Sequence, residues 1–261
     1  MIGQPSRRDP LAELASDPPT ATLLAAARAE IDALLWRRDV RTHAVEVATA
    51  SVERGARDSA AIDGADLAVP DASPMGRVLD AAMRLTAAVP GQVDVFATSP
   101  LQALAHLHAL TATGFAPDVE LGRPRSGERA DDPLHLGGVP SATVAAERLS
   151  LLARTLTTPT EAPALLVAAI AHAELAVIRP FTWGSGMVAR AAVRLVTAGR
   201  GVDPSLFSIP EHGMFEMGRP AYVRALQGYA SGTREGVLAF IGWQAAACAQ
   251  GAAAVRSPFV P

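Results

Sequence analysis

Lysine is absent from this chain: all 23 basic residues are arginine, and together with abundant alanine this reads as codon bias more than function. Cysteine is nearly absent too. Cys248 stands alone, which excludes a disulfide framework and a thiolate metal site and fits a reducing cytoplasm. Positive charge is not in excess, the net charge being −3. Affinity for a nucleic-acid backbone needs a clustered positive surface, so no nucleic-acid partner is expected. Long apolar runs are missing. The most apolar stretch, residues 164–178, is interrupted by His172 and Glu174 and is too short to span a bilayer. Residues 1–19 carry charges and prolines without an apolar centre, unlike a secretory signal. No membrane partner is expected, and neither an internal repeat nor a strand-rich stretch is visible.

With 261 residues, 49% of them hydrophobic, the chain can bury a sizeable core as one large domain, or as one domain with a helical extension. Residues 1–20 read as a disordered lead. Helical periodicity follows over 22–36 and 40–57, a proline-marked loop over 70–74, and further helices over 75–88 and 99–113. The last of these opens with Ser99 as N-cap and Pro100 at the first helical position. Residues 115–140, rich in Gly, Pro, Asp and Arg, break the pattern. Ser141 caps a helix to about residue 156, a short helix is expected over 218–229, and a long apolar one over 234–255. The fold class is all-α.

The segment richest in information is Ile178-Arg179-Pro180-Phe181-Thr182-Trp183-Gly184-Ser185-Gly186-Met187-Val188-Ala189-Arg190. A helix over 164–178 is broken by Pro180, Gly184 and Gly186, and Ser185 can cap a second helix running to about residue 197. A Gly-Ser-Gly loop feeding a helix start leaves backbone N–H groups outward, with the positive end of the macrodipole behind them, which suits an anion. Most helix starts of this kind bind only water.

This helix, loop and helix resemble the signature of the Fic (Fido) family, whose pattern reads His-Pro-Phe-x-Asp/Glu-Gly-Asn-Gly-Arg-x-x-Arg. Members with the intact motif transfer AMP, or another phosphate-containing group, to a protein hydroxyl. Pro180, Phe181, Gly184, Gly186 and Arg190 match. Arg179 stands where the family has its histidine, Trp183 where it has the acidic metal ligand, Ser185 for its asparagine and Met187 for its first arginine. Guanidinium stays protonated and has no acceptor lone pair, so Arg179 cannot take a proton. Loss of general-base catalysis costs about 10²–10⁴ in rate. Trp183 offers no oxygen to a hard cation, so magnesium is not expected. Met187 removes a charge-assisted phosphate contact, whereas Ser185 can still donate one hydrogen bond.

Plainer explanations stand beside these. Arg179 lies just past a helix end, where a cation near unpaired carbonyls is favourable by about 0.3–1 kcal/mol. Trp183 can be a packing residue, or can plug the pocket a nucleotide would enter. His172 lies two helical turns, about 10 Å, before Arg179, too far to replace the missing base. A buried, hydrogen-bonded histidine is the expectation there.

Upstream, Ser59, Asp63 and Gly64 match the spacing of the inhibitory helix of many Fic proteins, Ser/Thr-x-x-x-Glu-Gly/Asn. The resemblance implies that Asp63 pairs with Arg190, more loosely or through water because aspartate is one methylene shorter. A bare helix end with Gly64 at C′ is the alternative. The resemblance further implies that residues 115–140 form the flap, as a short loop or hairpin. Its segments Arg123-Pro124-Arg125 and Asp131-Asp132-Pro133 donate few ladder hydrogen bonds. Tyr222 is either the aromatic near a nucleotide base or a core residue.

The resemblance thus implies a Fic-like helical fold: N-terminal helices with the inhibitory-like segment over 21–66 and a helical core over 67–261. Ordinary AMP transfer is not expected. At most a weak hold on ATP, another nucleotide or phosphate is expected at Gly184, Ser185, Gly186 and Arg190, with action through a protein partner. The alternatives are an active Fic-type transferase using a non-standard base, and a purely structural helical module.

Overall fold

Because residues 164–178 are apolar on almost every side, most of this helix avoids water, and in the computed structural model it runs through the core, with Ile170, Glu174 and Val177 partly exposed along one face. The structure describes residues 9–65 and 74–255. Their helices are α1 (Pro10–Ala15), α2 (Pro18–Trp36), α3 (Arg38–Thr42), α4 (Ala44–Ile62), α5 (Pro74–Ala88), α6 (Val93–Thr98) and α7 (Pro100–Ala112). Then come α8 (Ala142–Thr157), α9 (Ala164–Ile178), α10 (Ser185–Gly199), α11 (Pro210–Glu216), α12 (Arg219–Ala230) and α13 (Arg234–Ala253). Among the described residues there is no strand, only an isolated bridge between Thr113 and Ala116. The all-α expectation holds.

Helix α9 packs on α8, α12, α13 and, most extensively, α10. Its two interrupting polar residues both have partners, those of His172 buried and the Glu174–Arg148 pair partly exposed. Glu174 receives Arg148 and the Tyr229 hydroxyl, and His172 is bonded at both ring nitrogens. Helix α10 is buried along nearly its whole length. Its arginines Arg190 and Arg194 are four apart, hence on one face, and α4 lies against that face. Arg194 pairs with Glu211 of α11 at 2.7 Å and donates to the Ser51 hydroxyl of α4 at 3.0 Å, all three groups buried.

The lead expected to be disordered over residues 1–20 is instead helical from Pro10. Asp9 caps α1 through the Leu11 and Ala12 N–H groups, and its other carboxylate oxygen accepts from the Thr160 hydroxyl and Glu161 N–H before α9. Asp17 with Pro18 then starts α2. Both starts are set by a single Asp-Pro pair and not by apolar periodicity, which is too short to register there. The loop expected over 70–74 and residues 1–8 lie outside the described residues. Ser141 caps α8 as expected, its hydroxyl accepting from Val144 N–H. Ser99 marks the start of α7 but makes no cap bond. Among the described residues no helix is long and apolar enough to cross a membrane.

Candidate functional site

The loop between α9 and α10 is closed by two left-handed residues. Arg179 (φ 43°) ends α9 and Gly184 (φ 76°) precedes α10, and a Cβ at Gly184 would sit 3.0 Å from Thr111 Cγ2. Gly184, and not Ser185, is therefore the N-cap. The Ser185 hydroxyl is used inside the turn, accepting from Phe181 N–H at 3.1 Å and donating to Phe181 O at 3.2 Å. It is buried and already bonded, so it does not supply the expected donor to a phosphate. Phe181 stacks on His108 of α7, with ring centroids 3.9 Å apart. Gly122 N–H donates to His108 Nδ1, and burial lowers the His108 pKa to about 4, so the ring is neutral.

Residues 115–140 form no hairpin; they fold down onto this loop. Arg125 N–H donates to Pro180 O and Asp131 N–H to Thr182 O, at 2.8 and 2.9 Å. Arg125 also donates from Nε to Arg179 O at 2.8 Å and from its terminal nitrogens to Gly127 O and Pro140 O. The cation at the carbonyl end of α9 is thus Arg125, where Arg179 was expected. The Arg179 guanidinium turns the other way, to Gly137 O at 2.6 Å and Asp132 at 3.2 Å, almost fully buried.

One Asp131 carboxylate oxygen accepts from Gly184 N–H at 3.0 Å. This aspartate therefore stands where the resemblance puts an incoming anion. Burial raises its pKa to about 7; Gly184 N–H and Arg179 oppose the rise, and Asp63 and Asp132 add to it. Trp183 packs through its indole. Its ring stacks on Phe115 at 3.9 Å and lines a small cavity of about 140 Å³ with Glu120, Arg129 and Asp131. Met187 is buried in the core.

The Asp63–Arg190 pair is direct, at 2.7 Å, neither looser nor bridged by water. Arg190 Nε also donates to the Ser59 hydroxyl at 2.8 Å and Nη2 to Ser59 O at 3.1 Å. Gly64 is at the same time the C′ glycine of α4: its N–H reaches Ala61 O and Ala65 N–H reaches Ala60 O, the two bonds of a Schellman motif. The C′ glycine and the Asp63–Arg190 pair coexist, because the motif that stops the helix also sets Asp63 facing α10. Two atoms are left over. Arg190 Nη1 and Asp63 Oδ1 are buried without a hydrogen-bond partner, and both lie against Gly186, 3.4 and 3.6 Å from where a Cβ would stand. Burial disfavours the Arg190 charge, but Asp63 and Tyr222 outweigh it and hold its pKa above the ordinary value.

Tyr222 is a core residue. It is fully buried, stacks on Trp243 at 4.9 Å, and its hydroxyl is 2.6 Å from His172 Nε2. With Gln244 Oε1 at 2.5 Å from Nδ1, the consistent arrangement has His172 donating from Nδ1 and accepting the Tyr222 proton at Nε2. Burial lowers the His172 pKa to about 3. This histidine is neutral and already has two partners, so it is no substitute base.

The sequence brought Asp63, Ser59, Gly184, Ser185, Gly186 and Arg190 to one place, and the structure keeps them there. Arg125, Asp131, Asp132 and His108 had not been assigned to it. The only signal for the aspartates was the doubled acid before Pro133, which reads as a broken ladder and not as a contact with residues some 50 positions away. As folded, two of the expected phosphate donors are taken: Gly184 N–H is held by Asp131 and the Ser185 hydroxyl by Phe181. Among the described residues no three His, Cys, Asp or Glu side chains cluster so as to hold a metal.

No family model matches this sequence, and no curated protein does. The fold has solved counterparts. A Fic family protein from Desulfovibrio desulfuricans G20 superposes with TM-score 0.73 at 19% identity, over 96% of this chain and 76% of that one. A segment of Fic-1 from C. elegans superposes with TM-score 0.65 at 18% identity, over 93% and 74%. The chain has the Fic fold.

Proposed function

We propose that this protein is a Fic-fold pseudoenzyme: it does not transfer AMP, binds a phosphate-bearing ligand such as ATP weakly at the start of α10, and acts in the cytoplasm through contacts with another protein. The observation that carries this is the state of Arg179. At the position of the family's base it is a guanidinium already bonded to Gly137 O and Asp132, with no acceptor atom to receive a proton. Trp183, at the metal-ligand position, is stacked on Phe115. Support for anion binding comes from the first turn of α10. The N–H groups of Ser185, Gly186 and Met187 have no acceptor inside the helix, and no described side chain accepts from them. Arg190 supplies the positive charge beneath. Magnesium has no expected role, since a hard cation needs oxygen ligands at the Trp183 position.

Calorimetric titration with ATP and ADP, with and without magnesium, tests this. Weak binding that is insensitive to magnesium and absent from Arg190→Ala is expected. No heat at millimolar ligand would remove the ligand-binding half of the proposal.

A further inference from the structure

We propose that the segment carrying Asp131 is a built-in competitor for the anion site at the start of α10, so that this closed loop and a bound phosphoryl group exclude each other. The inference rests on the anion-binding proposal above and adds how that site is controlled.

The helix start is not the whole case. Arg190 Nη1 is a fully buried nitrogen without a hydrogen-bond partner, 3.4 Å from where a Cβ on Gly186 would stand in the first turn, so an unused donor lies beside the cradle. Asp131 presents a carboxyl oxygen to Gly184 N–H at 3.0 Å, the geometry of an oxyanion ligand. The loop is held shut by few but specific bonds. Asp131 N–H bonds Thr182 O, the Thr182 hydroxyl donates to Glu120, and Arg179 clasps Asp132 and Gly137 O. All of these, together with Arg125 N–H on Pro180 O and Arg125 Nε on Arg179 O, reach the motif loop or its flank, so displacing Asp131 pulls on the same closure. Repulsion favours release on arrival of a ligand: a phosphoryl group beside Asp63, Asp131 and Asp132 adds negative charge to a site with two facing cations, Arg179 and Arg190. A tetrahedral oxyanion offers more acceptor atoms than one carboxylate oxygen. It can take Gly184 N–H and Arg190 Nη1 together, which Asp131 does not.

The test uses pyrophosphate and the full chain, comparing wild type with Asp131→Ala and Asp131→Asn by calorimetry. Hydrogen exchange over residues 115–140 is followed in parallel in the wild type. Tighter pyrophosphate binding by tenfold or more in Asp131→Ala, an intermediate gain in Asp131→Asn, and faster exchange of the Arg125 and Asp131 amides on ligand addition are expected. Equal affinity in all three proteins, with unchanged exchange, would overturn the competition while leaving anion binding intact. No binding by wild type or either variant at millimolar pyrophosphate would overturn anion binding itself. Should Asp131→Ala fail to fold, Asp131→Asn and the wild-type exchange experiment still decide the matter.

Discussion

Asp63 and Arg190 meet at 2.7 Å with neither side chain in solvent, one at the C-terminal end of α4 and the other in the second turn of α10. Removing one partner of such a pair leaves a buried charge unpaired, at about 3–5 kcal/mol, whereas replacing both by apolar groups of similar volume can be close to neutral. Asp63→Ala and Arg190→Met should each lower unfolding free energy in urea by that amount, and Asp63→Leu combined with Arg190→Met should recover most of it. Single variants within about 0.5 kcal/mol of wild type would mean the pair is solvated.

Acid should destabilise the protein through two buried histidines. Burial lowers His108 to about 4 and His172 to about 3, below the ordinary 6.5 of the unfolded chain. A depressed folded value leaves stability intact above pH 6.5 and removes it as pH falls toward 4, by about 1.4 kcal/mol per pH unit for each histidine. Urea unfolding between pH 7 and 4 measures the slope. His172→Gln should be less stable at pH 7 and lose one histidine's share of the slope. An unchanged slope would show that His172 is solvated in the folded state.

Much of this was legible in the sequence, for a physical reason. The α9–α10 unit is local, so its breakers, glycines and apolar runs fix its shape without knowledge of the rest of the chain. The Asp63–Arg190 contact was legible because a spaced motif on each side pointed to it. The closure by residues 115–140 was not. It is irregular backbone held by Arg125, Asp131 and Asp132 to carbonyls and N–H groups far along the chain, and no periodicity encodes such pairings. Helix α11 was missed because seven residues give too few turns for an apolar stripe to show.

Asp131 should give the opposite pH signature. Its folded pKa is raised to about 7, so its favourable contribution is complete below the unfolded 3.8 and is lost as pH rises through 7. Asp131→Asn should therefore gain stability relative to wild type from pH 4 to 7, with a constant difference above. A difference that stays flat from pH 4 to 8 would place this carboxyl in water.

Helices α11 and α13 approach so closely that a Cβ on Gly213 would lie against the Ala247 carbonyl, with the Ala247 Cα 3.0 Å away. Gly213→Ala should cost at least about 1–3 kcal/mol in chemical denaturation. Gly127→Ala, with nothing within 4 Å of the added methyl, serves as the control and should stay near wild type. Equal stabilities would mean that α11 is free to move outward.

The most direct test of whether the scaffold has lost its chemistry is incubation of the Asp131→Ala protein with α-labelled ATP and magnesium, alone and with candidate partner proteins. With the cradle opened and Arg179 still in the base position, no label should pass to any protein hydroxyl. Magnesium-dependent labelling that disappears in the Asp131→Ala, Arg190→Ala double variant would contradict the account.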